Sequence, residues 1–211
     1  MKYVYLHGFT SSPISQKAQF FIHKIQQFGF ECIAPDLNSD NFKQLLLSEQ
    51  LSRLEEHFLI DDEYILIGSS LGGLAALNLA EKFSNIKKVL LLAPAFNITN
   101  LWNQLVGEDN LHYWKANKYM EIPHHAYAKN MLLHYEFIED LEHNVIDLKF
   151  SRQFPVKIFH GNNDETIPFI GSQDYLPLNL QAELTILNSD HSLIDDLDFI
   201  WGDSVNFLEL C

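Results

Sequence analysis

The 211-residue sequence predicts a single α/β domain built on a mostly parallel sheet with helices on both faces. Two observations carry this. Short, continuously apolar runs alternate along the chain with longer segments of helical period. The runs are apolar throughout rather than alternately apolar and polar, as strands buried on both faces require.

In order, Lys2 to His7 is an apolar run ending at Gly8, a buried strand. Ser15 to Phe28 carries Ala18, Phe21, Ile22, Ile25 and Phe28 at helical spacing, with Gly29 placed to cap it. Cys32 to Pro35 reads as a second strand, and Leu47, Leu51, Leu54 and Phe58 mark the inner face of the next helix. Tyr64 to Ile67 is a strand ending at Gly68. Leu71 to Phe83 is an Ala-rich helix, and Val89 to Leu92 another strand. The alternation then breaks. From Asn97 to about Phe150 no clear strand is visible, and tryptophans, tyrosines and five of the ten histidines gather. This segment is expected to be a mainly helical, lid-like insertion. Regular order resumes with a strand from Val156 to His160, a short helix near Ile170 to Tyr175, a strand from Glu183 to Leu187 and a last helix from about Ile194 to Leu210.

The composition narrows the function. Fourteen basic against 28 acidic residues leave a formal charge of −14, which repels nucleic-acid phosphates and anionic membrane surfaces. No run approaches the roughly 20 apolar residues of a membrane span, and Tyr3 to Leu6 is too short for a signal peptide. The two cysteines, Cys32 and Cys211, are expected to be free thiols in a reducing compartment, so the protein is expected to be cytoplasmic. Oligomeric state is left open.

Chemistry concentrates where strands end, as parallel sheets demand. Gly68-Ser69-Ser70-Leu71-Gly72 lies between a strand and a helix, the context of a nucleophile elbow with Ser70 at its tip. The two glycines leave room for neighbouring elements in so tight a turn. A serine hydroxyl needs a base, and on such folds the order is serine, acid, histidine. Nine histidines lie at or before His160, and only His191 follows, in the loop before the last helix. His191 is the expected base. Asp164, in the loop after the Val156–His160 strand, is the expected acid, with Glu165 as its competitor. Asp190 is expected to be a solvated loop residue, and His160 to tie the strand end to its loop. The developing oxyanion needs donors, expected to be the backbone N–H groups of Leu71 and Phe9. In the Phe9 loop Gly8 is expected to make the sharp turn, and His7 to hold the loop.

In the insertion, His112, His124, His125, His134 and His143 have no zinc-like spacing, and neither cysteine is near, so no metal is expected. Trp102, Tyr113, Trp114 and Tyr119 are expected in a lid core or an apolar acyl pocket.

Tyr5-Leu6-His7-Gly8-Phe9-Thr10-Ser11-Ser12-Pro13, with Ser15 and Lys17 beyond it, combines with Ile67-Gly68-Ser69-Ser70-Leu71-Gly72-Gly73, the His-Gly-x-x-Asp segment and the late Asp-His. Together these resemble the α/β-hydrolase superfamily and, within it, the small YqiA-type bacterial esterases. The first two motifs are specific in combination, and the last two are general to the superfamily. The resemblance spans the chain except the insertion. It implies hydrolysis of small-molecule carboxylic esters, or of acyl thioesters, by Ser70, His191 and Asp164 without a cofactor. The rival readings are a non-catalytic binding protein on the same fold and hydrolase-fold chemistry other than ester cleavage.

Overall fold

A computed structural model describes residues 1–38, 41–58, 62–144 and 150–210. Its strands are β1 (Lys2–Leu6), β2 (Cys32–Ile33), β3 (Tyr64–Ser69), β4 (Ile86–Leu92), β5 (Tyr119–His124), β6 (Lys129–His134), β7 (Val156–Gly161) and β8 (Ala182–Leu187). Six form one sheet in the order β2-β1-β3-β4-β7-β8, with every pairing parallel. The helices are α1 (Gln16–Gln27), α2 (Leu47–Glu55), α3 (Leu71–Lys82), α4 (Ile98–Val106), α5 (Glu108–Asn117), α6 (Glu136–Asn144), α7 (Ile170–Tyr175) and α8 (Leu197–Ser204).

Successive side chains of a strand point to opposite faces, so each continuous apolar run feeds two cores. Tyr3, Tyr5, Ile65, Ile67, Leu90 and Leu92 meet Ala18, Phe21 and Ile25 of α1 and Ile200 and Trp201 of α8. Val4, Leu6, Leu66, Val89, Leu91 and Ile158 meet α2, α3, α6 and α7 on the other face. Helix α3 is buried from Leu71 to Ala80, which is why its sequence is apolar all round instead of amphipathic. Helix α1 begins at Ser15, whose Oγ accepts the Ala18 N–H, and ends before Gly29 at φ +82°, the left-handed conformation that glycine takes without strain.

Three boundaries differ from expectation. Strand β2 stops at Ile33, before the Ala34-Pro35 pair; proline brings no N–H to a ladder. The last helix is a 3₁₀ turn at Ile194–Asp196, then α8 to Ser204, then turns; Gly202, Asp203 and Asn206 are weak helix formers. The insertion is helical in α4, α5 and α6, but its centre is an antiparallel hairpin of β5 and β6. The joining turn, His125–Tyr127 with Ala128 at φ 50°, has none of the Gly or Asn turn residues that announce a hairpin. Residues 145–149 of the expected insertion, and Cys211, lie outside the described residues, whereas Cys32 is a buried free thiol.

Where the insertion rejoins the sheet, Arg152 closes the C-terminal end of α3. Its guanidinium donates to the carbonyl oxygens of Ala80, Phe83, Ser84 and Ile86, and Glu81 accepts the Arg152 N–H. Arg152→Ala removes the guanidinium from these four carbonyls, of which Phe83 keeps the Ile86 N–H, and is expected to lower stability by about 2–4 kcal/mol, with Lys restoring less than half. Urea unfolding of the three proteins checks this.

Candidate active site

The sheet order reverses between β1 and β3, and a ligand crevice belongs beyond the carboxyl ends of those strands. Ser70 sits there, between β3 and α3, with φ 54° and ψ −121°. A non-glycine residue at positive φ is strained by roughly 1–3 kcal/mol, held here by the packing around it. That packing explains the flanking glycines. A Cβ on Gly72 would lie 2.2 Å from the Leu6 carbonyl oxygen, and one on Gly68 would lie 2.5 Å from that of Gly72. The Ser70 N–H donates to the Leu92 oxygen at 2.9 Å, and its carbonyl accepts from Gly73 and Ala95, so the elbow is tied to β4 as well as to α3.

The Ser70 side chain caps nothing in its own helix. Its hydroxyl lies 3.1 Å from His191 Nε2, and His191 Nδ1 lies 2.7 Å from Asp164 Oδ2. The three sequence-predicted residues therefore meet in one line of hydrogen bonds from three strand-end loops. Asp164 has every acceptor site filled. Oδ1 takes the N–H groups of Thr166 and Ile167 at 2.9 and 2.7 Å, and Oδ2 takes His191 and His160. Burial pushes this carboxyl up, but the bonds from His160, His191 and Ile167 outweigh it and hold Asp164 well below the usual carboxylate range. It is ionised throughout the neutral range.

His160 does more than tie the strand to its loop. Its Nε2 faces two acceptors, Asp164 Oδ2 at 3.1 Å and the Ile167 carbonyl at 2.9 Å, so Nε2 carries the proton. Nδ1 then accepts from the Ser172 hydroxyl at 2.8 Å. The fully buried ring thus fixes Asp164 from behind, a role visible in the sequence only as a histidine four residues before the acid. Glu165, by contrast, is exposed. Asp190 is exposed too, and accepts from the N–H groups of Ser192 and Leu193 to shape the turn after His191.

In the loop after β1 the left-handed residue is Thr10, at φ 56°, and Gly8 does not adopt positive φ. Gly8 serves close approach instead: its Cβ would lie 3.2 Å from Ser70 Cβ. His7 holds the loop as a neutral ring, Nδ1–H donating to the Gly8 oxygen at 2.9 Å and Nε2 accepting the Leu37 N–H at 2.9 Å. Its contact with Asp36 at 3.3 Å is therefore not an ion pair, and burial holds its pKa down. Among the described residues neither the Phe9 nor the Leu71 N–H has a hydrogen-bond acceptor. Both residues line a cavity of about 210 Å³ that also touches Ser70, Ile98, Trp102 and His191.

Of the insertion aromatics, Trp114 is fully buried, donating Nε1–H to the Leu133 oxygen at 2.9 Å. Trp102 packs against Trp114 and Phe137 inside the insertion and also forms cavity wall, whereas Tyr113 is exposed. Among the described residues no three His, Cys, Asp or Glu side chains group closely enough to hold a metal ion. A larger cavity of about 440 Å³ lies between β2 and α2, but its lining, from Ile33 to His57, contains no serine, threonine or cysteine. No helix among the described residues is long and apolar enough to cross a membrane.

The architecture is shared with solved α/β-hydrolase structures. Mouse alpha/beta hydrolase domain-containing protein 10 superposes with a TM-score of 0.82 at 18% identity, over 99% of this chain and 89% of that one. Est1E from Butyrivibrio proteoclasticus, solved with ferulic acid, gives 0.81 at 17% identity over 99% and 88%. A monoglyceride lipase from Saccharomyces cerevisiae, solved with a substrate analogue, gives 0.69 at 16% over 99% and 87%. No curated protein matches the sequence. Residues 2–202, which include Ser70, Asp164 and His191, match the model of one sequence family. With an α/β-hydrolase fold, the chain belongs to the uncharacterised protein family UPF0227.

Proposed function

We propose that the protein hydrolyses carboxylic esters through an acyl-enzyme on Ser70. The observation that carries this is the unbroken line from Ser70 Oγ through His191 to the fully satisfied Asp164. Ester and lipid hydrolases among the structural neighbours agree with it.

Ser70 Oγ attacks the ester carbonyl carbon while His191 Nε2 takes its proton. Asp164 holds His191 with Nδ1 protonated, so that Nε2 is the free base, and stabilises the imidazolium as it forms. The N–H groups of Phe9 and Leu71 receive the oxyanion. As the tetrahedral intermediate collapses, the carbon–oxygen bond to the alcohol breaks and His191 returns the proton to that oxygen. Water, deprotonated by His191, then attacks the acyl carbon; the bond to Ser70 Oγ breaks, His191 returns the proton to that oxygen, and the acid is released.

Labelling with a fluorophosphonate followed by peptide mapping is expected to place one adduct on Ser70, and none when His191 is replaced by alanine. An intact, unlabelled Ser70 in the folded protein sinks the proposal. The cavity is smaller than the roughly 300–1,000 Å³ of sites for drug-sized ligands, so short acyl chains fit best. Among p-nitrophenyl esters kcat/KM is expected to fall at least about tenfold from butyrate to laurate, since each misfit costs binding in the transition state. A flat or rising series refutes this acyl assignment. Matched oxygen and sulfur esters of the preferred chain then rank ester against thioester cleavage.

A further inference from the structure

The hairpin of β5 and β6 reaches the loop after β1 directly at the Thr10 carbonyl and, through Asn38, at that of Ser11. In its turn, the Ala126 N–H donates to the Thr10 oxygen at 3.0 Å. Just before the turn, His124 is 1% exposed, lying edge-on to Phe42 and stacked on Tyr127. Its Nε2 lies 3.2 Å from Asn38 Oδ1. The Asn38 Nδ2 group donates in turn to the Ser11 oxygen at 2.6 Å and to Asp36 Oδ1 at 2.9 Å. With both amide hydrogens so placed, Asn38 can offer His124 only its oxygen, so His124 Nε2 must be the donor. Among the described residues its Nδ1 is buried without a partner, and burial lowers the His124 pKa, so the ring is neutral.

The loop needs such fastening. Thr10 is β-branched and sits at φ 56°, a conformation that persists only where surroundings impose it. The Phe9 ring is held by other parts of the insertion, stacked on Phe137 of α6 at 5.0 Å between centroids and edge-on to Trp102 of α4 at 6.0 Å. The Phe9 N–H, one of the two oxyanion donors proposed above, belongs to the residue whose ring is so held and that directly precedes Thr10.

We propose that the hairpin clamps the oxyanion loop, with His124 as a positioning residue acting through Asn38 on the Phe9 N–H. Resting on the ester-hydrolase reading of Ser70, this gives the insertion a second role beyond lining the pocket: it tunes transition-state binding rather than substrate binding. Losing the His124 bond leaves Asn38 anchored on Asp36 alone, loosens its hold on the Ser11 carbonyl, and lets Thr10 relax toward negative φ. The N–H would move off the oxyanion while the acyl cavity keeps its walls.

The test uses the full chain with p-nitrophenyl butyrate as substrate and an alkyl trifluoromethyl ketone, which forms a tetrahedral adduct with the serine, as probe. His124→Ala and Asn38→Ala are expected to lower kcat on the order of 10- to 100-fold, with KM held within about threefold, because a misplaced donor is felt only by the oxyanion. The inhibition constant of the ketone is expected to rise in step with the loss of kcat. His124→Gln, whose side-chain amide can donate from about the position of Nε2, is expected to recover most of it. A folded His124→Ala protein that keeps kcat within about threefold overturns the clamp, as does a kcat loss without weaker ketone binding, or a Gln variant no better than Ala. Should His124→Ala not fold, Asn38→Ala is judged by the same criteria. Wild-type protein with no Ser70-dependent turnover overturns the ester-hydrolase reading itself; an active wild type with unaffected variants overturns the clamp alone.

Discussion

Ser70→Ala is expected to reduce ester turnover on the order of 10⁵- to 10⁶-fold, leaving only what the oxyanion donors and the pocket achieve on their own. Fluorophosphonate labelling disappears with it. The residue also sits at φ 54°, and alanine keeps that strain because it keeps the Cβ. Ser70→Gly removes both the hydroxyl and the strain. It is expected to be as inactive as Ser70→Ala but more stable by about 1 kcal/mol, net of the extra chain entropy that glycine adds to the unfolded state. The pair separates two properties of one position: the rate follows the hydroxyl, and stability follows the backbone. Thermal unfolding beside p-nitrophenyl ester kinetics measures both. Equal stabilities would mean the elbow is unstrained, and turnover surviving in either variant would remove Ser70 from the chemistry.

The frame of the site was legible because each of its parts obeys a local rule. Gly68 and Gly72 stand where two backbones approach too closely for a Cβ, a requirement that leaves a residue-level mark. His191 was isolated by chain order alone, and Asp164 by lying after the strand that precedes it. What stayed hidden depended on contacts distant in sequence. Nothing near His124 announces Asn38, which is 86 residues away, and nothing in Lys129 to His134 marks a strand until it pairs with Tyr119 to His124. The loop after β1 was misread for a related reason. Glycine draws attention wherever a turn is expected, yet here a threonine takes the left-handed conformation and glycine supplies the clearance. A threonine at positive φ has no sequence signature, because its cost is met by hydrogen bonds from elements far along the chain.

Asp164→Asn is expected to lower kcat about 10³- to 10⁴-fold, and Glu165→Gln to leave it within about twofold. The two N–H groups of Thr166 and Ile167 demand an oxygen facing them, so the new amide nitrogen must face His191 and His160. An N–H₂ donor there forces His191 to accept at Nδ1, which moves its proton to Nε2, pointing at Ser70. A ring in that tautomer cannot take the serine proton. His160 faces the same inversion, and its Nε2 lone pair would then confront the Ile167 carbonyl, 2.9 Å away. One substitution therefore disturbs two rings, and a stability loss of about 3 kcal/mol at neutral pH accompanies the loss of rate. The sign of its pH dependence follows from the depressed pKa of Asp164. The folded state binds this proton less readily than the unfolded state, whose carboxyl titrates near pH 3.9, at about the model-peptide value. The carboxylate's contribution is therefore complete well above that pH and is lost as pH falls toward the folded-state value. The gap between wild type and Asp164→Asn should narrow below about pH 4. A gap that instead widened below about pH 4 would mean that Asp164 is protonated in the folded protein, and His191 would have no anion to hold its tautomer.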